Sequence, residues 1–202
     1  MIITEIKKNK NAAGYGVFAD GEFLFSLDSE TILNVGLKKG IELSKEELDE
    51  LYSRSLFHKA KEKALRLLDK RAHSKAEIIR KLSEKYPKNI SQEVANYLEE
   101  LSLINDKDFA LLYGRELIEF KKFGRQRVIT ELFRRGINRE IIDEVLEEFS
   151  FEESAETIVS LLNKRRVNLS DEKEKRRAIN RLLREGYSFE EIKTAIHYFE
   201  ED

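Results

Sequence analysis

The sequence predicts a mainly α-helical protein, with three tandem three-helix repeats in an elongated array behind a small N-terminal β-hairpin or three-stranded sheet. Two observations predict the helices: the chain has one proline and no tryptophan, and Glu, Lys, Leu and Arg are abundant. A third is an apolar pattern that returns every 50 residues, which is typical of stacked supersecondary units.

The N-terminal stretch, residues 1–43, has the pattern of a β-containing extension. Ile2, Thr4 and Ile6 alternate as they would in a half-buried strand, and Asp20-Gly21 is a strong signal for a two-residue hairpin turn. A short helix is expected over Ser29–Val35. Ser44-Lys-Glu-Glu47 is a capping box, which predicts a linking helix over residues 44–56, either separate from the next helix or continuous with it.

The repeats are predicted over residues 57–104, 105–149 and 150–202. Their shared feature is an amphipathic second helix whose apolar positions align at offsets of 50 and, in the last two repeats, are followed by a glycine. The aligned sets are Ile78, Ile79 and Leu82; Val128, Ile129, Leu132, Phe133 and Gly136; and Ala178, Ile179, Leu182, Leu183 and Gly186. We expect these apolar residues to face the core of each repeat, and each glycine to end its helix.

Polar residues before apolar runs predict where further helices begin. Capping boxes are predicted at Ser74, Ser150 and Ser188, because each serine is followed three residues later by glutamate. Ser91 and Asn138 are the predicted starts of the third helices in the first two repeats.

Charge alternates with the repeat, although the net charge is only −2. Lys121–Arg139 holds seven positive residues and one acid, Lys164–Arg184 nine and three, and Lys59–Lys85 ten and four, whereas the helix after Arg139 is acidic. One interpretation is a solvated surface. The recurrence instead favours a basic track for a phosphate backbone or an acidic protein groove. The candidate binding residues are Lys70, Arg71, Lys75, Lys121, Lys122, Arg125, Arg127, Arg134, Arg135, Lys175, Arg176 and Arg177.

Two further features could add to such a track. Helices that begin near Ser74, Gly124 and Lys175 would offer amide donors to anions. Phe120 and Phe123 flank a basic connector and are the best candidates for exposed aromatic residues.

The sequence contains no signature of catalysis. It has no cysteine, its three histidines lack metal-binding spacing, and it has no phosphate-binding loop of the P-loop type. We therefore predict no enzyme activity, catalytic residue, metal site or cofactor. Because the N-terminus lacks a signal-peptide core and no apolar run approaches 18 residues, we expect a soluble cytoplasmic protein without a membrane partner.

The repeats resemble the RecX family of recombinase regulators. The resemblance covers about residues 57–200, and residues 1–43 resemble the N-terminal extension of longer members. It rests on Leu103-Ile-Asn-Asp106, Phe109-Ala110, Tyr113, Lys122-Phe-Gly-Arg125, Ile129, Leu132 and Gly136-Ile137, with Ala64–Leu68, Arg71, Ser74, Glu77 and Leu82 in the first repeat.

The resemblance implies a protein that binds the RecA recombinase, or its filament on single-stranded DNA, and restrains ATP hydrolysis and strand exchange in DNA repair. Direct DNA contact through the basic patches and a monomeric state are part of that expectation. An alternative is a direct DNA-binding protein of helix-turn-helix type, although the apolar second helix leaves little polar surface for base edges. A helical adaptor is a third alternative.

Overall fold

A computed structural model describes residues 1–9, 14–151 and 153–201. Within those residues the chain forms three strands followed by ten helices. The strands are β1 (Ile3–Lys8), β2 (Tyr15–Ala19) and β3 (Glu22–Leu27). The helices are α1 (Ser29–Val35), α2 (Lys45–Leu68), α3 (Lys75–Ser83), α4 (Lys88–Glu100), α5 (Asp106–Glu119), α6 (Arg125–Arg134), α7 (Arg139–Glu147), α8 (Ser154–Lys164), α9 (Glu172–Arg184) and α10 (Phe189–Glu201). The predicted mainly helical fold with a small N-terminal sheet is confirmed.

The sheet is antiparallel, with strand order β1-β2-β3. Asp20 and Gly21 join β2 to β3, and both have positive φ angles, 51° and 85°. Positive φ at both central residues is typical of the type I′ turn, whose twist matches that of the flanking strands. The Asp20-Gly21 pair therefore formed the predicted hairpin because both residues tolerate this conformation. The inner face of the sheet contributes to a core that includes Leu37, Leu43 and Leu51.

The helix predicted from Ser44 is continuous with the first helix of the first predicted repeat. Both hydrogen bonds of the capping box are present between Ser44 and Glu47. The helix then runs unbroken to Leu68, through residues 56 and 57, where we placed a boundary. The division of the chain into a linking helix and three repeats stays a prediction.

Three of the predicted helix starts are wrong. α4 begins at Lys88, because Pro87 has the φ angle of a helix start, and Ser91 instead bonds back to the Pro87 carbonyl at 3.1 Å. α8 begins at Ser154 rather than after Ser150, and its N-cap residue, Glu153, makes no side-chain capping bond. The Ser154 hydroxyl donates to the Phe151 carbonyl at 2.6 Å.

The third wrong start is at α9, which begins at Glu172 rather than near Lys175. The Asp171 carboxylate accepts from the amides of Lys173 and Glu174 and caps the helix there. By contrast, the caps at Ser74, Asn138 and Ser188 are present as predicted.

The chain separates into two compact units. The first comprises Met1–His73 and Ile78–Ile104, and the second comprises Ser74–Glu77 together with the residues from Asn105 onward. The first turn of α3 therefore belongs to the second unit. In that unit, α5, α6 and α7 bury one apolar cluster, and α8, α9 and α10 bury another.

Candidate partner-binding surface

α6 and α9 are the second helices of the second and third predicted repeats. They meet end to end within the second unit. The amide of Gly124 donates to the carbonyl of Glu185 at 2.9 Å, and the amide of Gln126 donates to the carbonyl of Gly186 at 3.1 Å. The first amides of a helix have no partner within that helix. The C-terminal turn of α9 therefore caps the N-terminus of α6.

This junction needs glycine on both sides. Gly186 has a φ of +93°, and a Cβ added to it would lie 2.2 Å from the backbone nitrogen of Arg127. A Cβ added to Gly124 would lie 2.5 Å from the carbonyl carbon of Gly186. Side chains at either position would force the two helix ends apart.

The C-terminal turn of α6 meets the first turn of α3 in a corresponding way. Gly136 has a φ of +78°, and a Cβ there would lie 2.3 Å from the Cβ of Ala76. The Ser74 hydroxyl donates to the carbonyl of Arg135. Corresponding helix ends thus form both junctions, with Gly136 and Gly186 at positions 50 residues apart.

An ion pair closes the junction of α6 with the first turn of α3. Arg135 Nη1 lies 2.7 Å from Glu77 Oε1, and the Glu77 side chain is only 3% exposed. The guanidinium also lies 4.6 Å from the centre of the Tyr113 ring and donates to the Tyr113 hydroxyl at 3.2 Å. Burial alone would lower the pKa of Arg135, but Tyr113 and Glu77 outweigh burial and raise it.

At the junction of α9 with α6 the charges are exchanged. Fifty residues after Glu77 and Arg135 stand Arg127 and Glu185. Arg127 Nη2 pairs with Glu131 at 2.7 Å, and its guanidinium lies 5.4 Å from the centre of the Phe123 ring. The position of the acid Glu77 is thus taken by Arg127 in the other junction, and the position of Arg135 is taken by the acid Glu185.

Several amides that the sequence offers to external anions already have partners within the protein. The amide of Lys75 donates to Asp106 at 2.7 Å, and that of Gln126 donates to Gly186. At α9, Asp171 accepts from Lys173 and Glu174. The prediction that these helix N-termini offer amides to an external anion is wrong for these amides.

The twelve candidate cations fall into two groups by exposure. Those exposed to solvent are Lys70, Arg71, Lys121, Lys122, Arg125, Arg134, Arg176 and Arg177. Those half-buried are Lys75, Arg127, Arg135 and Lys175. Arg127 and Arg135 take part in the contacts described above, so their guanidiniums already hold the fold together. The binding role of all twelve stays a prediction.

Apolar side chains stand beside the exposed arginines. Phe133 is 44% exposed and Leu183 is 42% exposed, so our expectation that both face the core is wrong. Val128 and Leu132 are fully buried on the central stripe of α6, whereas Phe133 lies at its edge. Phe133 precedes Arg134 and Leu183 precedes Arg184, at positions that correspond between the repeats. Of the two aromatic candidates beside the basic connector, Phe120 is 77% exposed, whereas Phe123 is half-buried against the cluster of α5, α6 and α7.

Family comparisons match three successive parts of the chain. The model described as the regulatory protein RecX N-terminal domain matches residues 1–44. The RecX first three-helix domain matches residues 60–98, and the RecX second three-helix domain matches residues 105–146. This chain belongs to the RecX family.

Individual relatives agree with this assignment. Regulatory protein RecX of Clostridioides difficile (strain 630) is 30% identical over 97% of this chain and 94% of its own length. Regulatory protein RecX of Listeria welshimeri is 34% identical over 96% of this chain and 74% of its own length. Both relatives are therefore similar to nearly the whole of this chain.

Solved structures are similar in fold. A crystal structure of regulatory protein RecX superposes with a TM-score of 0.74, at 23% identity, over 100% of this chain and 99% of the other. RecX from Lactobacillus salivarius gives a TM-score of 0.62, at 25% identity, over 73% of this chain and 98% of the other. The helical fold of the RecX family is therefore the fold of this chain.

Two other kinds of site are not found among the described residues. None of the helices in this part of the chain has the length and apolar character needed to cross a membrane. Within the same residues, no group of three or more His, Cys, Asp or Glu side chains is arranged to hold a metal ion.

Proposed function

We propose that this protein binds RecA, as the filament on single-stranded DNA, and restrains its ATPase and strand-exchange activity. Membership of the RecX family, whose members carry the name of regulatory proteins, supports this proposal. A monomer that acts in the cytoplasm is part of it.

The observation that carries the proposal is the recurring surface of α6 and α9. Each helix presents an exposed apolar residue followed by an arginine, Phe133-Arg134 and Leu183-Arg184. Apolar side chains and arginine are the residues that protein interfaces use as anchors. Two copies joined end to end suit a partner that repeats its own surface, because several weak contacts then add through avidity.

The charge of α7 favours a protein partner over base-specific recognition of DNA. In α7, the third helix of the second predicted repeat, Glu140, Asp143, Glu144 and Glu147 are exposed. A helix with these four carboxylates would be repelled by phosphates in a groove. The exposed Phe133 and Leu183 side chains cannot bind a phosphate, whereas both can bury apolar surface against a protein.

The test is the ATPase activity of RecA on single-stranded DNA, titrated with this protein at two salt concentrations. Binding to the same DNA without RecA is measured in parallel by fluorescence anisotropy. We expect loss of ATPase activity below one protein per RecA, with much weaker binding to bare DNA. An unchanged RecA ATPase, together with tight and salt-sensitive binding to bare DNA, would replace the proposal with direct DNA binding.

A further inference from the structure

An arginine-lined cleft of about 340 Å³ opens between the end of α8 and α9. Its volume is at the lower end of the range for ligand pockets, roughly 300–1,000 Å³. The charged side chains around it are Arg165, Arg166, Arg177, Arg181 and Glu174. Leu162, Val167 and Ala178 supply an apolar part of the lining.

The corresponding face of α6 is covered by the end of α9. Fifty residues before Glu174 and Arg177 stand Gly124 and Arg127, and both lie against Gly186. That contact requires glycine at position 124, because a Cβ there would lie 2.5 Å from the Gly186 backbone. A glutamate stands in its place in α9, so no helix end could approach α9 as closely.

α9 also satisfies its own first amides. The Asp171 carboxylate takes the role at α9 that Glu185 and Gly186 take at α6, accepting from the amides of Lys173 and Glu174. With Glu174 in place of glycine and Asp171 as its cap, the start of α9 needs no other helix end to pair its first amides. The face of α9 is therefore built to stay open rather than to continue the series of junctions.

The arginines of the cleft are partly held in position. Arg165 donates through both terminal nitrogens to the Glu185 carboxylate, at 2.9 and 3.0 Å, and Arg181 Nε donates to the same carboxylate at 3.0 Å. Arg166 and Arg177 are exposed beside them. Four guanidiniums thus stand against the two carboxylates of Glu174 and Glu185, which leaves two positive charges in excess.

We propose that this cleft binds a phosphate group, carried by the backbone of a single-stranded nucleic acid or by a free polyphosphate. Arginine presents parallel N–H groups that match phosphate oxygens, and the orientation imposed by Glu185 lowers the entropy lost on binding. The apolar lining leaves room for the sugar or base beside the phosphate. The site does not depend on RecA, so it stands or falls separately from the function proposed above.

A second copy of the chain is a poor occupant. By the repeat alignment, the counterpart of the Glu185-Gly186 turn at the end of α3 is Lys85-Tyr86. This turn would bring a lysine towards the arginines and a tyrosine ring where glycine is needed. An acidic segment of another protein is the competing occupant, and the experiment separates it from phosphate.

The experiment compares the full chain with the variant Arg166→Gln/Arg177→Gln. The control, Arg54→Gln/Arg115→Gln, loses the same charge from exposed sites outside the cleft. Inorganic pyrophosphate is titrated by calorimetry, and a labelled oligothymidine is titrated by fluorescence anisotropy over a range of salt. Circular dichroism and thermal melting check that all three proteins are folded, as the exposure of the four residues leads us to expect.

We expect pyrophosphate to bind the cleft variant about tenfold more weakly than the control. If the oligonucleotide also binds more weakly, and its log–log salt slope flattens by about 0.7 for each phosphate that the variant no longer neutralises, the phosphate belongs to nucleic acid. If only pyrophosphate binds more weakly, the ligand is a free polyphosphate. Equal binding of both probes by the two variants would overturn the site. If in that case the cleft variant alone loses its effect on RecA, the occupant is a protein carboxylate.

Discussion

The guanidinium of Arg135 lies 2.7 Å from the carboxylate of Glu77, which is 58 residues earlier in the chain. Glu77 also completes the capping box of Ser74, so one buried carboxylate serves both the start of α3 and the junction with α6. A charge in such a position is costly unless its partners are present. Arg135 is therefore a residue of the fold first, although the charge pattern places it among the binding candidates.

We expect Arg135→Met to lower the free energy of unfolding by about 2–3 kcal/mol, because it removes the guanidinium that pairs with the buried Glu77 carboxylate. Arg134→Met is the control and should cost less than about 0.5 kcal/mol, since Glu131 keeps its second partner, Arg127. Urea denaturation measures both. Equal costs for the two variants would mean that the ion pair with Glu77 contributes nothing of its own.

The junction of α9 with α6 gives a second stability prediction. Gly186→Ala should destabilise the second unit by about 3 kcal/mol or more, because the added Cβ would lie 2.2 Å from the Arg127 nitrogen at a left-handed residue. Gly36→Ala is the matched control. Gly36 also has positive φ, 65°, but no described atom lies within 4 Å of its Cβ position. It should cost only about 1 kcal/mol.

Thermal melting and denaturant unfolding of the two glycine variants separate backbone strain from steric contact. If Gly186→Ala and Gly36→Ala were equally destabilised, the left-handed conformation would account for the whole effect. The close approach of the two helix ends would then contribute nothing to the destabilisation.

The buried hydroxyl of Tyr187 leads us to expect that the free energy of unfolding falls at alkaline pH. Its ring is buried and its hydroxyl donates to the Lys122 carbonyl at 2.7 Å. Burial raises its pKa to about 12, and the nearby Glu185 and Glu191 add to the increase. The unfolded chain, with a pKa near 10, loses this proton first as pH rises. The stabilisation is therefore fully present below pH 10 and is lost as pH rises from about 10 to about 12.

The change is on the order of 2–3 kcal/mol across that pH range. Tyr187→Phe should cost about 1 kcal/mol at neutral pH through its lost hydrogen bond, and should unfold with a flatter dependence on pH between 10 and 12. Tyr198→Phe is the control at a half-exposed tyrosine and should keep the slope of the parent chain. Parallel slopes for all three proteins would contradict the assignment to Tyr187.

Local signals in the sequence predicted the elements whose cause is local. Asp20-Gly21 formed its hairpin turn, and Ser44 and Ser188 formed their capping boxes, because each needs only residues within a few positions. The equally good pattern at Ser150 failed. There α8 begins three residues later than predicted, at Ser154.

The candidate surface was less predictable, because it depends on contacts between distant residues. Arg127 and Arg177 occupy the same position in their repeats and looked equivalent in the sequence. Arg127 is half-buried against Gly186, whereas Arg177 is exposed in the cleft. The sequence does contain one signal that distinguishes the two arginines. The start of α6 has Gly124 and is covered by the end of α9, whereas the start of α9 has Glu174 at the corresponding position and is open to the cleft.

The exposed apolar residues of α6 and α9 give the most direct test of the proposed partner surface. We expect Phe133→Gln/Leu183→Gln to raise the concentration needed for half-maximal inhibition of the RecA ATPase by about tenfold or more, because anchors at two repeats are removed together. Both side chains are only about half-buried, so melting should fall by no more than a few degrees. If the two anchors cooperate, each single variant should lose more than the square root of the combined effect, because the coupling between the anchors disappears when either one is removed. Leu112→Gln is the control, since Leu112 is exposed on α5 outside this surface. Full inhibition by the double variant, or an equal loss in Leu112→Gln, would remove Phe133 and Leu183 from the interface.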